Sequence, residues 1–227
     1  MEKKIMALVL VSVVLLASMA FPQALVDAVR RLPPIVTTLN RKTVQIGVIW
    51  PTSGDQQLFT PYYTDIIKPD INDYCQKLGY SVSFDFVFMN AGKIDQYGNE
   101  NGDAQTHLLR VQQLKKMGVD LFIGGPWSGM AQASLAYVNA NNMVMFSKSS
   151  TSPNIAIAGD NLFRMCPTDG ELAPALVEML WSYGIKSIVI VQRGDYWGDG
   201  LVNTFKPLWE AKGGGFTGDT IRYEGVD

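Results

Sequence analysis

The chemistry this chain offers lies in serine and threonine hydroxyls at the ends of short apolar runs. In Val119–Pro153 the run Val119–Ile123 stops at Gly124-Gly125-Pro126, and Ser128 then opens an Ala-rich stretch. A second run, Met143–Phe146, stops at the hydroxyl cluster Ser147–Ser152, and a third, Val44–Trp50, stops at Pro51-Thr52-Ser53-Gly54. A hydroxyl beside free backbone N–H groups at a helix start suits a carboxylate, and Ser128 is placed for that. Ser149 and Thr151 offer hydroxyls and carbonyls that can accept from an ammonium group, Ser149 through its backbone carbonyl. Any one of these loops is an ordinary turn by composition. Three at the ends of successive strands of one sheet converge on a crevice at the strands' carboxyl ends, where open α/β sheets take small ligands.

Two aromatics join this set. Arg193–Gly200 follows the run Ser187–Gln192 and holds Trp197 between glycines at a strand end, where an aromatic can close over a ligand, with a surface turn holding one packed aromatic as the alternative. Tyr196 is the weaker candidate there. Phe59 reads as a further apolar wall, with packing against the first helix as its alternative.

The elements that must position these residues follow from periodicity. Val44–Trp50 and Ser81–Met89 read as strands, with a helix over Tyr62–Leu78 broken or kinked at Pro69 and stopped at Gly79. Asn90–Gly102 reads as a polar loop. Asp103 is an N-cap for a helix over Ala104–Met117 with Gly118 as its stop. The strand Val119–Ile123, the helix Ser128–Asn141 and the strand Met143–Phe146 follow. This β-α alternation predicts an α/β fold with a parallel sheet flanked by helices. After a connector over Ser152–Thr168, a second series begins: helix Glu171–Tyr183, strand Ser187–Gln192, helix Gly200–Ala211 and a strand near Phe216–Tyr223. It reads as an incomplete second layer with an unpaired edge and an uncovered apolar face, the sign of a truncated chain.

Composition bounds the function. The chain has 227 residues, 47% hydrophobic and 18% charged, enough for a proper core. A net charge of −2 without a long basic run argues against nucleic acid as a partner. There is one histidine, His107, which reads as a partly exposed helix residue. No Ser/His/Asp set, GxSxG, CxxC or HxxxH spacing is present, Gly124-Gly125-Pro126 lacks the GxGxxG spacing of a dinucleotide site and Gly213–Gly215 reads as a loop after a helix, so no catalytic residue, metal site or cofactor is expected. Cys75 and Cys166 read as unpaired, buried thiols, with a disulfide in an exported protein as the alternative. The start, MEKKIMALVLVSVVLLASMAFPQA, has the layout of a secretory signal peptide, with an uncleaved membrane anchor as the alternative.

IGVIWPTSG (Ile46–Gly54), GVDLFIGGPWSG (Gly118–Gly129), VMFSKSSTSP (Val144–Pro153), LFRMCPTD (Leu162–Asp169) and IVIVQRGDYWGDGL (Ile188–Leu201) occur in an informative order. Through them the chain resembles, from Val44 to Asp227, the solute-binding proteins of ABC transporters for branched-chain amino acids and amides. This is the leucine/isoleucine/valine-binding type of periplasmic binding protein. The resemblance implies a type I fold of two Rossmann-like lobes with parallel sheets flanked by helices. Residues 1–24 would be the signal peptide or N-terminal anchor, 25–43 a linker, 44–165 the first ligand-binding lobe and 166–227 the start of a truncated second lobe. It implies a non-enzymatic extracytoplasmic receptor, periplasmic or on the outer face of the cell membrane. Such a receptor captures a small amino acid or amide by hinge closure and hands it to a membrane permease. A ligand-sensing domain of a signalling receptor is the alternative. By position, Ser128 matches the hydroxyl contact to the ligand carboxylate, the Ser149 carbonyl meets the ammonium group and Thr151 touches both. Trp197 stands where the family has a Tyr and covers the ligand, and Phe59 lines the side-chain pocket. Trp127 and Lys148 are bulkier or more charged than is common there. Asn90–Gly102 reads as an insertion, and the acidic residue that usually meets the ammonium group lies beyond Asp227.

Overall fold

The computed structural model describes residues 42–223, so the N-terminal segment expected to direct export lies outside the described residues. The first half of the chain alternates β1 (Lys42–Trp50), α1 (Ser53–Tyr62), α2 (Lys68–Lys77), β2 (Val82–Asn90), β3 (Gly92–Ile94), β4 (Glu100–Gly102) and α3 (Ala104–Lys116). Then come β5 (Leu121–Ile123), α4 (Ser128–Ala140), β6 (Val144–Ser147) and β7 (Leu162–Arg164). A second series holds α5 (Asp169–Ser182), β8 (Ser187–Ile188), β9 (Val191–Arg193), α6 (Tyr196–Ala211), β10 (Gly215–Phe216) and β11 (Ile221–Tyr223). Two compact units are distinguished: described residues 42–45 with Pro61–Phe86, and Ile46–Thr60 with residues 87–223.

In the smaller unit, α2 buries Ile71 and Cys75. Asn72 makes a two-way contact with the backbone of Phe84: its Nδ2 donates to the Phe84 carbonyl (2.9 Å) and its Oδ1 accepts from the Phe84 amide (2.7 Å). Tyr63 meets Phe86 edge-on with ring centroids 5.2 Å apart. Lys68 pairs with Asp85 at 2.7 Å and holds its carboxyl below the usual range.

The central sheet runs in the order β2-β1-β5-β6-β7. The pairs β1–β5, β5–β6 and β6–β7 are parallel, in the register Ile46↔Leu121, Phe122↔Met145 and Phe146↔Phe163. The last five residues of β1 are all buried, as expected of a parallel strand covered on both faces. Helices α3 and α4 supply apolar cover. Val111, Leu114, Phe122, Met130, Leu135, Val138, Met143 and Met145 belong to one buried cluster. The Asp103 carboxylate caps α3 by accepting from the Thr106 amide at 2.7 Å, and Gly118, at φ +78°, ends it.

The first half corrects four expectations, the first being the connector over Ser152–Thr168, which carries β7 of the central sheet. The first helix starts at Ser53 rather than Tyr62, so Ser53 and Gly54 belong to α1 and not to a turn. Thr52 explains the start: its hydroxyl donates to the Asp55 carboxylate (2.7 Å) and accepts from the Asp55 amide (3.1 Å), a reciprocal cap. The break is a wide turn over Tyr63–Ile67, just after Pro61, which lacks a backbone donor. Pro69 sits in the first turn of α2, where no donor is missed. Residues 90–102 form more than a loop, because β3 and β4 pair antiparallel. The Asp95 carboxylate closes their turn by accepting from the Tyr97 and Asn99 amides.

In the second series, α5 and α6 pack Ala173, Val177, Phe205 and Trp209 into their own core. Helix α6 begins at Tyr196, four residues before the expected Gly200, because Asp195 caps it there. The two expected strands are each split into short segments. These pair parallel, β8 with β10 and β9 with β11, and Thr217–Thr220 loops out between β10 and β11 around Gly218 at φ +106°. Val191, Ile221 and Tyr223 are exposed. Cys75 is buried, as expected, whereas Cys166 is only partly buried, contrary to the expectation for it.

Candidate functional site

The loops after β5 and β6 meet above the carboxyl ends of those strands. Gly125 takes φ +55°, and a Cβ on it would come within 2.9 Å of the Ala131 Cβ, so this position admits only glycine. Its carbonyl accepts hydroxyls from Ser147 and Ser150, both at 2.6 Å and both wholly buried. The Ser149 hydroxyl donates to the Pro126 carbonyl at 2.5 Å. The Ser128 hydroxyl accepts from the Ser152 amide at 3.2 Å. Arg164 donates to the carbonyls of Ser150 and Ser152 and braces the second loop from β7. The two hydroxyl clusters therefore hold one another in place.

From the second series comes Trp197, in the first turn of α6. The Asp195 carboxylate that caps this helix accepts from the Gly198 amide at 2.8 Å. The Trp197 indole N–H reaches both the Thr151 hydroxyl oxygen (2.9 Å) and the Asp169 carboxylate (2.7 Å). Thr151 in turn donates to the same Asp169 oxygen at 2.6 Å, and its carbonyl accepts from the Asp169 amide at 2.8 Å. Asp169 opens α5, where a carboxylate is favoured by the helix dipole.

Trp127, Ser128, Ser149, Thr151, Arg193 and Trp197 line one cavity of about 320 Å³. Four of the five residues singled out from sequence are thus brought together. The fifth, Phe59, stacks on Trp50 at 5.1 Å with the Lys148 ammonium 5.6 Å from its ring. Tyr196 packs against the first core cluster. Sequence reasoning missed Asp169 and Arg193, and it noted Trp127 only for its bulk. Arg193 lies 5.3 Å from the Trp197 ring centroid and is ion-paired with Asp195. What the arrangement can do is hold a small molecule by directed hydrogen bonds. Ser128 and the open first turn of α4 offer donors to an anionic group, and two indoles offer flat apolar surface. Among the described residues, no group of three or more His, Cys, Asp or Glu is placed to hold a metal ion.

His107 corrects the sequence reading most sharply. It is wholly buried, not partly exposed. Its Nε2 accepts from the Gly125 amide and its Nδ1 donates to the Ser134 hydroxyl, both at 2.7 Å. Burial pushes its pKa down from 6.5 to about 3. The unfolded chain therefore takes up a proton near pH 6.5 that the folded chain refuses until about pH 3. His107 is the single histidine of the sequence, so it dominates the stability change above the carboxylate range. Its contribution is expected to be complete above pH 6.5 and to fall below it, by at most about 1.4 kcal/mol per pH unit. Urea unfolding between pH 7 and 4.5 measures this, and His107→Gln should flatten the slope.

A family model described as periplasmic binding protein matches residues 97–225, more than half of the chain. An uncharacterized protein of Methanocaldococcus jannaschii is 26% identical over 172 residues, 71% of this chain and 39% of that one. Among solved structures, the substrate-binding protein of an ABC transporter from Desulfitobacterium hafniense, in complex with Leu, is 24% identical with a TM-score of 0.58. The match covers 81% of this chain and 52% of that one. A leucine-binding protein from Thermotoga maritima is 19% identical with a TM-score of 0.62, over 81% of this chain and 50% of that one. A solute-binding protein from Rhodopseudomonas palustris in complex with 4-hydroxybenzoate is 20% identical with a TM-score of 0.62, over 81% and 47%. The chain spans about half the length of these structures and less of the curated relative. With its parallel central sheet flanked by helices and the match to its larger part, the chain belongs to the periplasmic binding protein family.

Proposed function

We propose that this protein is an extracytoplasmic receptor of an ABC importer that captures a small polar solute, a branched-chain amino acid or an amide, in the cavity lined by Ser128 and Trp197. The observation that carries this reading is the meeting of Ser128, Ser149, Thr151 and Trp197 on one cavity. Ser128 and the start of α4 take the ligand's carboxylate or amide oxygen. The carbonyl of Ser149 and the Thr151 hydroxyl take its nitrogen, and Trp197 covers it. Residues 44–165 act as the first lobe and 166–227 contribute to the second. Closure of the lobes buries the solute and presents the closed form to a membrane permease. The leucine complex of the Desulfitobacterium hafniense protein supports an amino-acid ligand by analogy, and the family points to a location outside the cytoplasm.

A thermal-shift panel of L-leucine, L-isoleucine, L-valine, acetamide, urea and 4-hydroxybenzoate tests the proposal on the full chain. A ligand present at about 100 times its Kd stabilises by about 2.7 kcal/mol, which raises Tm by roughly 5–10 °C. The rise should be selective and absent in Thr151→Ala. A folded protein whose Tm moves with none of these solutes contradicts the amino-acid and amide reading.

A further inference from the structure

Gly125 is the joint between the two hydroxyl loops. Its carbonyl accepts from Ser147 and Ser150, while the neighbouring Pro126 carbonyl accepts from Ser149. Its amide is buried, and a buried amide left without an acceptor is costly. The acceptor is supplied from α3 by the Nε2 of His107, at 2.7 Å. For Nε2 to accept, the ring must carry its proton on Nδ1, and that N–H is held by the Ser134 hydroxyl of α4 at 2.7 Å. Both ring nitrogens are therefore committed, one to the loop and one to the helix that begins with Ser128. The loop has no side chain of its own to offer there: a Cβ on Gly124 would lie 2.8 Å from the Phe122 ring, and one on Gly125 2.9 Å from Ala131.

We propose that His107 is a positioning residue for the cavity, which sets the loops carrying Ser128, Ser149 and Thr151 through its bond to the Gly125 amide. The inference rests on the solute-binding reading for its purpose and on the hydrogen-bond geometry for its existence. Substitutions distinguish an acceptor at the Nε2 position from mere filling of the space. Gln can place an acceptor near that position, whereas Asn is too short to reach Gly125 and Leu offers no polar atom. A core histidine with no positioning role would show no such order among the variants.

The test is amide hydrogen exchange by NMR on the full chain, for wild type and for His107→Gln, His107→Asn and His107→Leu. Side-chain nitrogen shifts in the wild type report the tautomer. Expected are a protonated Nδ1, protection of the Gly125 and Ser150 amides within about threefold of wild type in the Gln variant, and a loss of about tenfold or more in the Asn and Leu variants, the order expected for one lost hydrogen bond. Equal protection in all four proteins, or a wild-type ring protonated on Nε2, overturns the proposal. If a variant fails to fold, the wild-type tautomer still decides. Titration of each protein with L-leucine and the other panel solutes, followed at the Trp197 indole, separates the two readings. Loop effects as expected, with no response to any of these solutes in wild type, leave the positioning role standing and remove the solute-binding one.

Discussion

Asp169→Ala is expected to weaken solute binding by about 100-fold. The carboxylate is buried and accepts from both the Thr151 hydroxyl and the Trp197 indole. Without it the Thr151 hydroxyl loses its acceptor and the indole keeps only Thr151. A hydrogen bond to a charged group contributes about 1.5–3 kcal/mol, and about 2.7 kcal/mol is a factor of roughly 100 in Kd. Asp169→Asn keeps the shape and one acceptor oxygen, so it should lose closer to tenfold. Calorimetric titration with the best solute of the thermal-shift panel reads both values. Binding by the Ala variant at wild-type strength would show that the Thr151–Asp169–Trp197 contact plays no part in recognition.

Trp209→Ala is expected to cost about 3–5 kcal/mol of stability. Trp209 is wholly buried, stacks on Phe205 with centroids 6.0 Å apart and meets Trp181 edge-on at 5.9 Å. Its indole N–H donates to the Gly215 carbonyl at 2.9 Å and so ties α6 to β10. The core of the second series is small, and this side chain fills much of it. A loss of this size is a large share of the roughly 5–15 kcal/mol that holds a domain together. Trp209→Phe keeps most of the packing and drops the hydrogen bond, so its cost should be smaller. Urea unfolding of the full chain measures both. A loss below about 1 kcal/mol for the Ala variant would mean that the second series is not held by this core.

The cavity was legible where local pattern decides geometry. Apolar runs ending in Gly and Ser place Ser128, Ser149 and Thr151 at strand ends, and the parallel order of β5 and β6 brings those ends together. Trp197 was legible as an aromatic soon after a strand, although it stands in the first turn of α6. Asp169 was not, because an acidic residue in the first turn of a helix looks the same whether it serves the helix dipole or a partner 28 residues away. His107 does carry a usable signal: His107, Val111 and Leu114 fall at i, i+4 and i+7, all on the buried face of α3. The split strands of the second series depend on a looped-out segment that periodicity does not mark.

The most direct test of the central claim is a nitrogen–proton NMR spectrum of the full chain, recorded with and without the panel solutes. It should follow the Trp197 indole and the backbone amides of Ser128 and Gly129. One solute is expected to shift these three signals together, while the amides around Phe59 and Trp50 move little. A solute that binds without moving them, shifting instead the signals around Phe59, would contradict the placement of the site.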